Sequence, residues 1–230
     1  MGKPDVVEKP PAGARRRTQA ERSDAMRQRL LRATLESLAS DGYTGSSLSS
    51  IVRRAGVSRG AQVHHYPSKN ALILEAAEYL MRRAYRVLGE VLLGIHNEDD
   101  RLQALMDTTW EEIFDTRMYR AFFELLIASH HDPELAAALR AIGRRSRLRV
   151  EEPVRHYFEP RSPSSEDNHD LFSMTVMVFG ALSAASHLAE GPAQVKRYRD
   201  IWTGVMAANM RARKGVRTPP PKPAGWDSRA

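Results

Sequence analysis

The chain has 230 residues, 42% of them hydrophobic, and no cysteine; this supplies a core for one large domain or for a small domain joined to a larger one, and excludes a disulfide framework or a thiolate metal site. Its charge is segregated: residues 1–70 hold 13 Lys and Arg against 6 Asp and Glu, whereas residues 71–230 hold 22 of each. A basic first third on a neutral body is the footprint expected for contact with nucleic acid or an anionic membrane surface, with a merely solvated face as the alternative.

Residues 1–17, MGKPDVVEKPPAGARRR, combine Pro, Gly and charge without apolar periodicity and read as a disordered basic arm. They lack the apolar run of a secretory signal, so the cytoplasm is the expected compartment. From about Thr18, Leu30, Leu31, Thr34, Leu35 and Leu38 recur at helical spacing, and Gly42 is a natural left-handed terminator. Ser46 or Ser47 can cap a short second helix with Leu48, Ile51, Val52 and Ala55 on its buried face, closed by Gly56. Ser58 can cap a third that runs to about Tyr66, where Pro67 stops it. Two short helices about a glycine turn form a helix-turn-helix.

Ser68 opens a longer helix that continues to about Gly94 with Leu72, Ala76, Leu80, Val87, Val91 and Leu92 on one side, long enough to link two parts of the molecule. Helical stripes follow at Leu102, Leu105, Met106, Thr109 and Ile113 and at Tyr119, Phe122, Phe123, Leu126 and Ile127, with no strand-like alternation between them. Asp132 and Pro133 open another helix that Pro153 should kink or stop. Residues 159–168 read as a loop, two further helices span about Asp167 to Ala189 and about Pro192 to Arg213, and residues 214–230 return to a Pro-rich, disordered composition. The apolar tract FSMTVMVFGALSAASHLA is interrupted by serines, a threonine and a histidine and reads as a buried helix rather than a membrane span.

The segment SLSSIVRRAGVSRGAQVHHYPSKNAL resembles the DNA-binding part of the TetR family of bacterial transcriptional regulators, over roughly residues 25–75. The resemblance implies an all-α protein: a three-helix helix-turn-helix DNA-binding domain over 18–67, and a larger helical ligand-binding and dimerisation domain over 68–213. It also implies a homodimer on double-stranded DNA that reads a near-palindrome with half-sites about 34–36 Å apart. A small apolar or aromatic effector would release this repressor from its operator. An effector-independent architectural or constitutive regulator is the alternative, and an all-helical enzyme a more distant one.

Carried onto this chain, the resemblance gives Ser47, with Thr44 nearby, and Ser58 to phosphate at helix N-termini. Arg59, Gly60, Ala61 and Gln62 fall in the first turn of the recognition helix, where Arg suits guanine and Gln suits adenine and Gly60 permits close approach. His64, Tyr66 and Lys69 match positions that meet the sugar-phosphate backbone or fix the third helix against the fourth. The chain departs from the family pattern at Gln62 and Val63: Gln62 reads either as a DNA contact or as a solvated residue, and Val63 either as a thymine-methyl contact or as helix packing.

Adjacent helical positions diverge by about a hundred degrees, so His64 and His65 do not suit one metal, and Asp132 beside His130 and His131 has a capping role instead. Neither a cofactor nor a catalytic constellation is expected. Met106, Trp110, Phe114, Phe122, Phe123, Leu126, Met174 and Met177 are the expected pocket lining, each with core packing as its alternative. The arginines at 140, 144, 145, 147 and 149 read as a solvated face rather than an anion site. Small residues in GALSAASHLAEG, with the last helix, suit a four-helix dimer interface. No membrane partner is expected.

Overall fold

The computed structural model describes residues 18–162 and 168–222; the basic arm, the middle of the loop before the penultimate helix and the last eight residues lie outside them. Helix α1 (Gln19–Gly45) opens with a reciprocal cap, in which the Thr18 hydroxyl accepts from the Glu21 amide at 3.2 Å and the Glu21 carboxylate accepts from the Thr18 amide at 2.7 Å. Its ladder breaks inside this span at Gly42, whose φ of +69° only glycine adopts without strain. Helices α2 (Leu48–Ala55), α3 (Arg59–His65) and α4 (Lys69–Gly94) follow, capped by Ser47, Ser58 and Ser68. The choice between Ser46 and Ser47 is settled by burial: Ser46 is fully enclosed and donates to the Gly42 carbonyl at 2.7 Å, leaving Ser47 to accept from the Ser50 amide at 3.1 Å.

The rest of the chain is α5 (Arg101–Thr109), a π-helical turn over Trp110–Phe114, α6 (Arg117–Ala128), α7 (Pro133–Tyr157), α8 (Asn168–Ala185) and α9 (Pro192–Asn209). Asp132 caps α7 through the Leu135 amide at 3.0 Å, as its place before Pro133 predicts. Pro153 does not end this helix, which runs on to Tyr157.

Several expectations are corrected. The last helix stops at Asn209 instead of Arg213, and β2 (Met210–Ala212) pairs antiparallel with β1 (Phe158–Pro160), Phe158 opposite Ala212. Phe158 and Met210 are both fully buried, so this clip is held by apolar anchors in three-residue strands too short to show alternation. Of the tail expected to be disordered, residues 214–222 are among those described, and they are tied to the body. Arg217 pairs with Asp99 at 2.8 Å and donates to the Asn97 carbonyl at 2.8 Å, and the buried Arg101 donates to the carbonyls of Ile95, His96 and Val216 at 2.6–3.2 Å. A buried guanidinium is tolerable only when its donors are answered in this way.

The expectation of a buried penultimate helix also fails. By length and composition the stretch Asp170–Leu188, with a mean hydropathy of 1.5, could cross a membrane, but only 22% of it is buried in the protein. Met174, Val176, Met177 and Leu188 lie open, and the apolar face continues on α9 through Tyr198, Ile201 and Val205.

Two hydrophobic clusters form the core. One joins α1 and α2 to the first half of α4 and takes in Ala121 and Leu125 of α6 and Leu135 and Ile142 of α7. The other gathers the end of α4 with α5, the π turn, α8 and α9. The first cluster therefore welds the helix-turn-helix to α6 and α7, so that a displacement of α6 is transmitted to α1.

Candidate nucleic-acid interface and apolar cavities

The turn between α2 and α3 is built on Gly56, in the left-handed region at φ +60° and ψ +41°. From α1, the Arg29 guanidinium donates to the carbonyls of Ala55 and Gly56, both at 2.8 Å, and fixes the end of α2 against α1. A Cβ at Gly56 would lie 3.0 Å from that guanidinium. These constraints set where the seven residues of α3 present their side chains.

The exposed face of this head carries Thr44, Ser47, Ser58, Arg59, Gly60, Val63 and His64, with Ala61 partly covered. Arg59 has no hydrogen-bond or ion-pair partner among the described residues and stands at the N-terminal end of α3, where the helix dipole adds to its positive field. Nothing lies within 4 Å of a Cβ built on Gly60, so a surface could approach the backbone there. Val63 is 54% exposed and so does not pack into the core of this chain.

Gln62 is corrected on the same ground. It is fully buried and its amide donates to the Tyr66 carbonyl at the end of α3, so it faces neither DNA nor solvent. The hundred-degree step between neighbours puts Gln62 inward and Val63 outward. Tyr66, 2% exposed, packs into the first core cluster, and burial pushes its hydroxyl pKa up; of its two readings the structure supports fixing α3 against its neighbours. Lys69 Nζ donates to the Tyr43 carbonyl at 3.0 Å, lies 4.5 Å from the Tyr43 ring centre, and has its pKa lowered by burial. It holds the start of α4 to the end of α1. The rings of His64 and His65 meet edge to face with centres 5.3 Å apart.

At the broken turn of α1 the Tyr43 amide donates to Oε2 of Glu124 on α6 at 3.0 Å. Gly42 has turned this amide out of the helical ladder, and the carboxylate replaces the missing carbonyl. Asn70, at the start of α4, donates to Glu134 of α7 at 2.6 Å. Neither link was visible in the sequence, where Glu124 is one acidic residue among many.

Two apolar cavities adjoin α4. One, about 160 Å³, is lined by Leu80, Ala84 and Leu88 of α4 with Ile113, Phe114, Tyr119 and Phe122. The other, about 340 Å³, lies among Leu92, Leu105, Met106, Val154, Phe172 and Met177. They share Tyr85, Leu88, Thr109, Phe114 and Val176. The Thr109 hydroxyl is buried without a hydrogen-bond partner, and burial pushes the Tyr119 hydroxyl pKa up to about 12.

Of the expected lining, Met106, Phe114, Phe122 and Met177 border these cavities, whereas Trp110, Phe123, Leu126 and Met174 do not. Trp110 is core, its ring edge to face with Phe179 at 5.6 Å and under the Arg199 guanidinium at 5.0 Å. Phe123 packs against the second core cluster, and Met174 is half exposed. The α4 residues were missed because a helix serving as a linker gives no sign in its sequence of which side meets a void. Among the described residues no group of three or more His, Asp or Glu could hold a metal ion. Arg145, in the arginine-rich part of α7, pairs with Glu78 of α4 at 3.5 Å.

Comparison with known proteins agrees with this geometry. Residues 30–76 match the family described as bacterial regulatory proteins, tetR family. The chain is 32% identical over 157 residues, 68% of its length and 77% of the relative's, to the HTH-type transcriptional regulator CymR of Pseudomonas putida. It is 24% identical over 195 residues, 84% of its length and 95% of the relative's, to the HTH-type transcriptional regulator BetI of Agrobacterium fabrum. Among solved structures, a TetR transcription regulator from Haloarcula marismortui superposes with a TM-score of 0.64 at 14% identity, covering 82% of this chain and all of the other. A TetR-family regulator from Mesorhizobium loti gives 0.62 at 16% identity, covering 81% and 97%. At these identities the structures speak for the fold.

Proposed function

The chain belongs to the TetR family of bacterial regulatory proteins and is a DNA-binding regulator of transcription, and we propose that it is a cytoplasmic, homodimeric repressor released from its operator by a small apolar effector. The observation that carries the effector reading is the course of α4. It begins at Lys69, tied to the end of α1, and its middle and end wall both cavities. An occupant that moves this wall moves the helix on which the head is mounted.

In this reading residues 18–67 are the DNA-binding domain and residues 68–213 the effector and dimer domain, with the first core cluster as their joint. Thr44, Ser47 and Ser58 meet phosphates, Arg59 and Val63 read base edges in the major groove, Gly60 and Ala61 allow close approach, and His64 and Lys69 add backbone affinity. The cavities are nearly all apolar, and Thr109 offers one buried hydroxyl, which suits an apolar or aromatic effector with a single polar group. A second copy of the chain covers the open apolar face of α8 and α9, where Met174, Met177, Tyr198, Ile201 and Val205 lie exposed.

The test is to select bound fragments from genomic DNA, confirm a near-palindrome in them, and screen small apolar compounds for release of the labelled fragment. Light scattering gives the oligomeric state in parallel. A dimer released by such compounds meets the expectation. A dimer that binds the fragment but ignores every apolar compound entering the cavities favours the effector-independent regulator.

A further inference from the structure

We propose that a groove between the DNA-binding head and the start of α6 is a binding site for a small polyanion of the phosphate class, distinct from the apolar cavities. The groove, about 490 Å³, is bordered by Arg32 of α1, Arg54 of α2, Tyr79 and Arg83 of α4, and Arg117 of α6, with Glu36 as the one carboxylate. Arg54 is answered by Asp41 at 2.7 Å. Arg32, Arg83 and Arg117 have no hydrogen-bond or ion-pair partner among the described residues.

Other arginines are answered within the chain, whereas these three border one groove. Arg27 pairs with Glu75, Arg29 holds two carbonyls, Arg82 pairs with Glu78, and Arg211 and Arg213 pair with Glu159. Three arginines without partners, from three helices, border one concavity and give it a positive field. Arg117 is also the first residue of a 12-residue helix, whose free amides and dipole add to the positive field. Planar guanidinium forks match phosphate oxygens, and an oxyanion spanning three of them gains several charge-assisted hydrogen bonds at once.

The groove extends away from the DNA-facing surface. The DNA-facing surface lies at α2, α3 and the beginning of α4, and Arg83 is 14 residues beyond Lys69, which is about 21 Å along the helix. The groove sits where the head meets α6 and shares Arg83 and Met118 with the smaller apolar cavity. A polyanion here draws α1, α4 and α6 together and thereby changes operator affinity.

The test is calorimetric titration of the operator-free protein with sodium tripolyphosphate at fixed ionic strength, with sodium sulfate as the screening control. Parallel titrations with ATP and with adenosine separate the sources: equal binding of tripolyphosphate and ATP assigns a free polyphosphate, and stronger binding of ATP assigns the phosphate tail of a nucleotide. The triple variant Arg32→Gln, Arg83→Gln, Arg117→Gln is expected to weaken tripolyphosphate binding at least ten-fold, while Arg59→Gln on the DNA-facing side retains it. Should the triple variant fail to fold, Arg32→Gln alone is expected to weaken binding at least three-fold with an unchanged melting curve. No binding at millimolar tripolyphosphate overturns the proposal, as does binding that survives the groove substitutions or disappears with Arg59→Gln.

Discussion

Removing the Glu124 carboxylate should loosen the DNA-binding head without removing any contact to DNA. Its Oε2 accepts the Tyr43 amide at 3.0 Å, across 81 residues of sequence, where the Gly42 break leaves that amide without an intrahelical acceptor. A hydrogen bond to an ionised acceptor contributes about 1.5–3 kcal/mol. The bond is only partly buried, so water can reach the abandoned amide, and the cost of Glu124→Ala falls near the low end, about 1.5 kcal/mol. For a protein of this size that corresponds to a melting temperature lower by roughly 3–6 °C. Glu124→Gln keeps an acceptor without the charge and should lose about half as much.

Thermal unfolding followed by circular dichroism reads the first effect. The second is read by titrating a labelled operator at several salt concentrations, well below both melting temperatures. Operator affinity should fall a few-fold, because a head freed from α6 samples orientations that do not fit both half-sites. The slope of log affinity against log salt should stay the same, because no phosphate contact is lost. An unchanged melting temperature, or a flatter salt slope, would refute the assignment of Glu124 as a mechanical tie.

Arg59→Ala should change base preference at one position of each half-site, whereas Lys69→Ala should lower affinity evenly across sequences; uniform loss from both, read by competition with mutated operators, makes Arg59 a backbone contact. Gln62→Ala should leave base preference untouched and destabilise the head by about 1–2 kcal/mol, since it strands the Tyr66 carbonyl and opens a buried site; altered operator choice in selection from random DNA would return Gln62 to the interface. A Cβ at Gly180 would overlap the Tyr119 hydroxyl, so Gly180→Ala should displace that ring from the wall of the smaller cavity. The expected readout is effector release at a shifted concentration together with a melting temperature lower by several degrees; an unchanged response and melting curve shows that the ring can move freely. Gly56→Ala combines a left-handed backbone with a Cβ against the Arg29 clamp and should cost about 2–4 kcal/mol in urea unfolding; a loss below about 0.5 kcal/mol is incompatible with that turn.

Much of the head was legible because its signals are local. A cap bonds three residues ahead, a proline restricts the residue before it, and a left-handed position selects glycine, so Ser47, Ser58, Ser68, Asp132 and Gly56 occupy the places their spacing implies. The one-residue question between Gln62 and Val63 was not local. Both fit the same turn of helix, and which of them points inward follows from the rotation at which α3 docks on α1 and α4.

The cavity was less legible than the head. An aromatic or methionine stripe has the same period whether it fills a core or borders a void, so the expected lining divided into four residues on the cavities and four elsewhere. The ordered tail and the β1–β2 clip were hidden for a related reason. Their stability comes from Arg101 and Arg217, and from Phe158 and Met210, whose partners are remote in the chain.

The sequence by itself therefore determined the helix-turn-helix, the caps of its helices and the basic first third of the chain; the caps and the turn depend on neighbours within one or two turns. The tertiary structure alone decided that Gln62 is core and Val63 is surface, that α4 walls two cavities, that Glu124 holds the broken turn of α1, and that four arginines from four helices share one groove. These depend on distances between segments far apart in sequence, which the packing angles of helices set and no local pattern encodes.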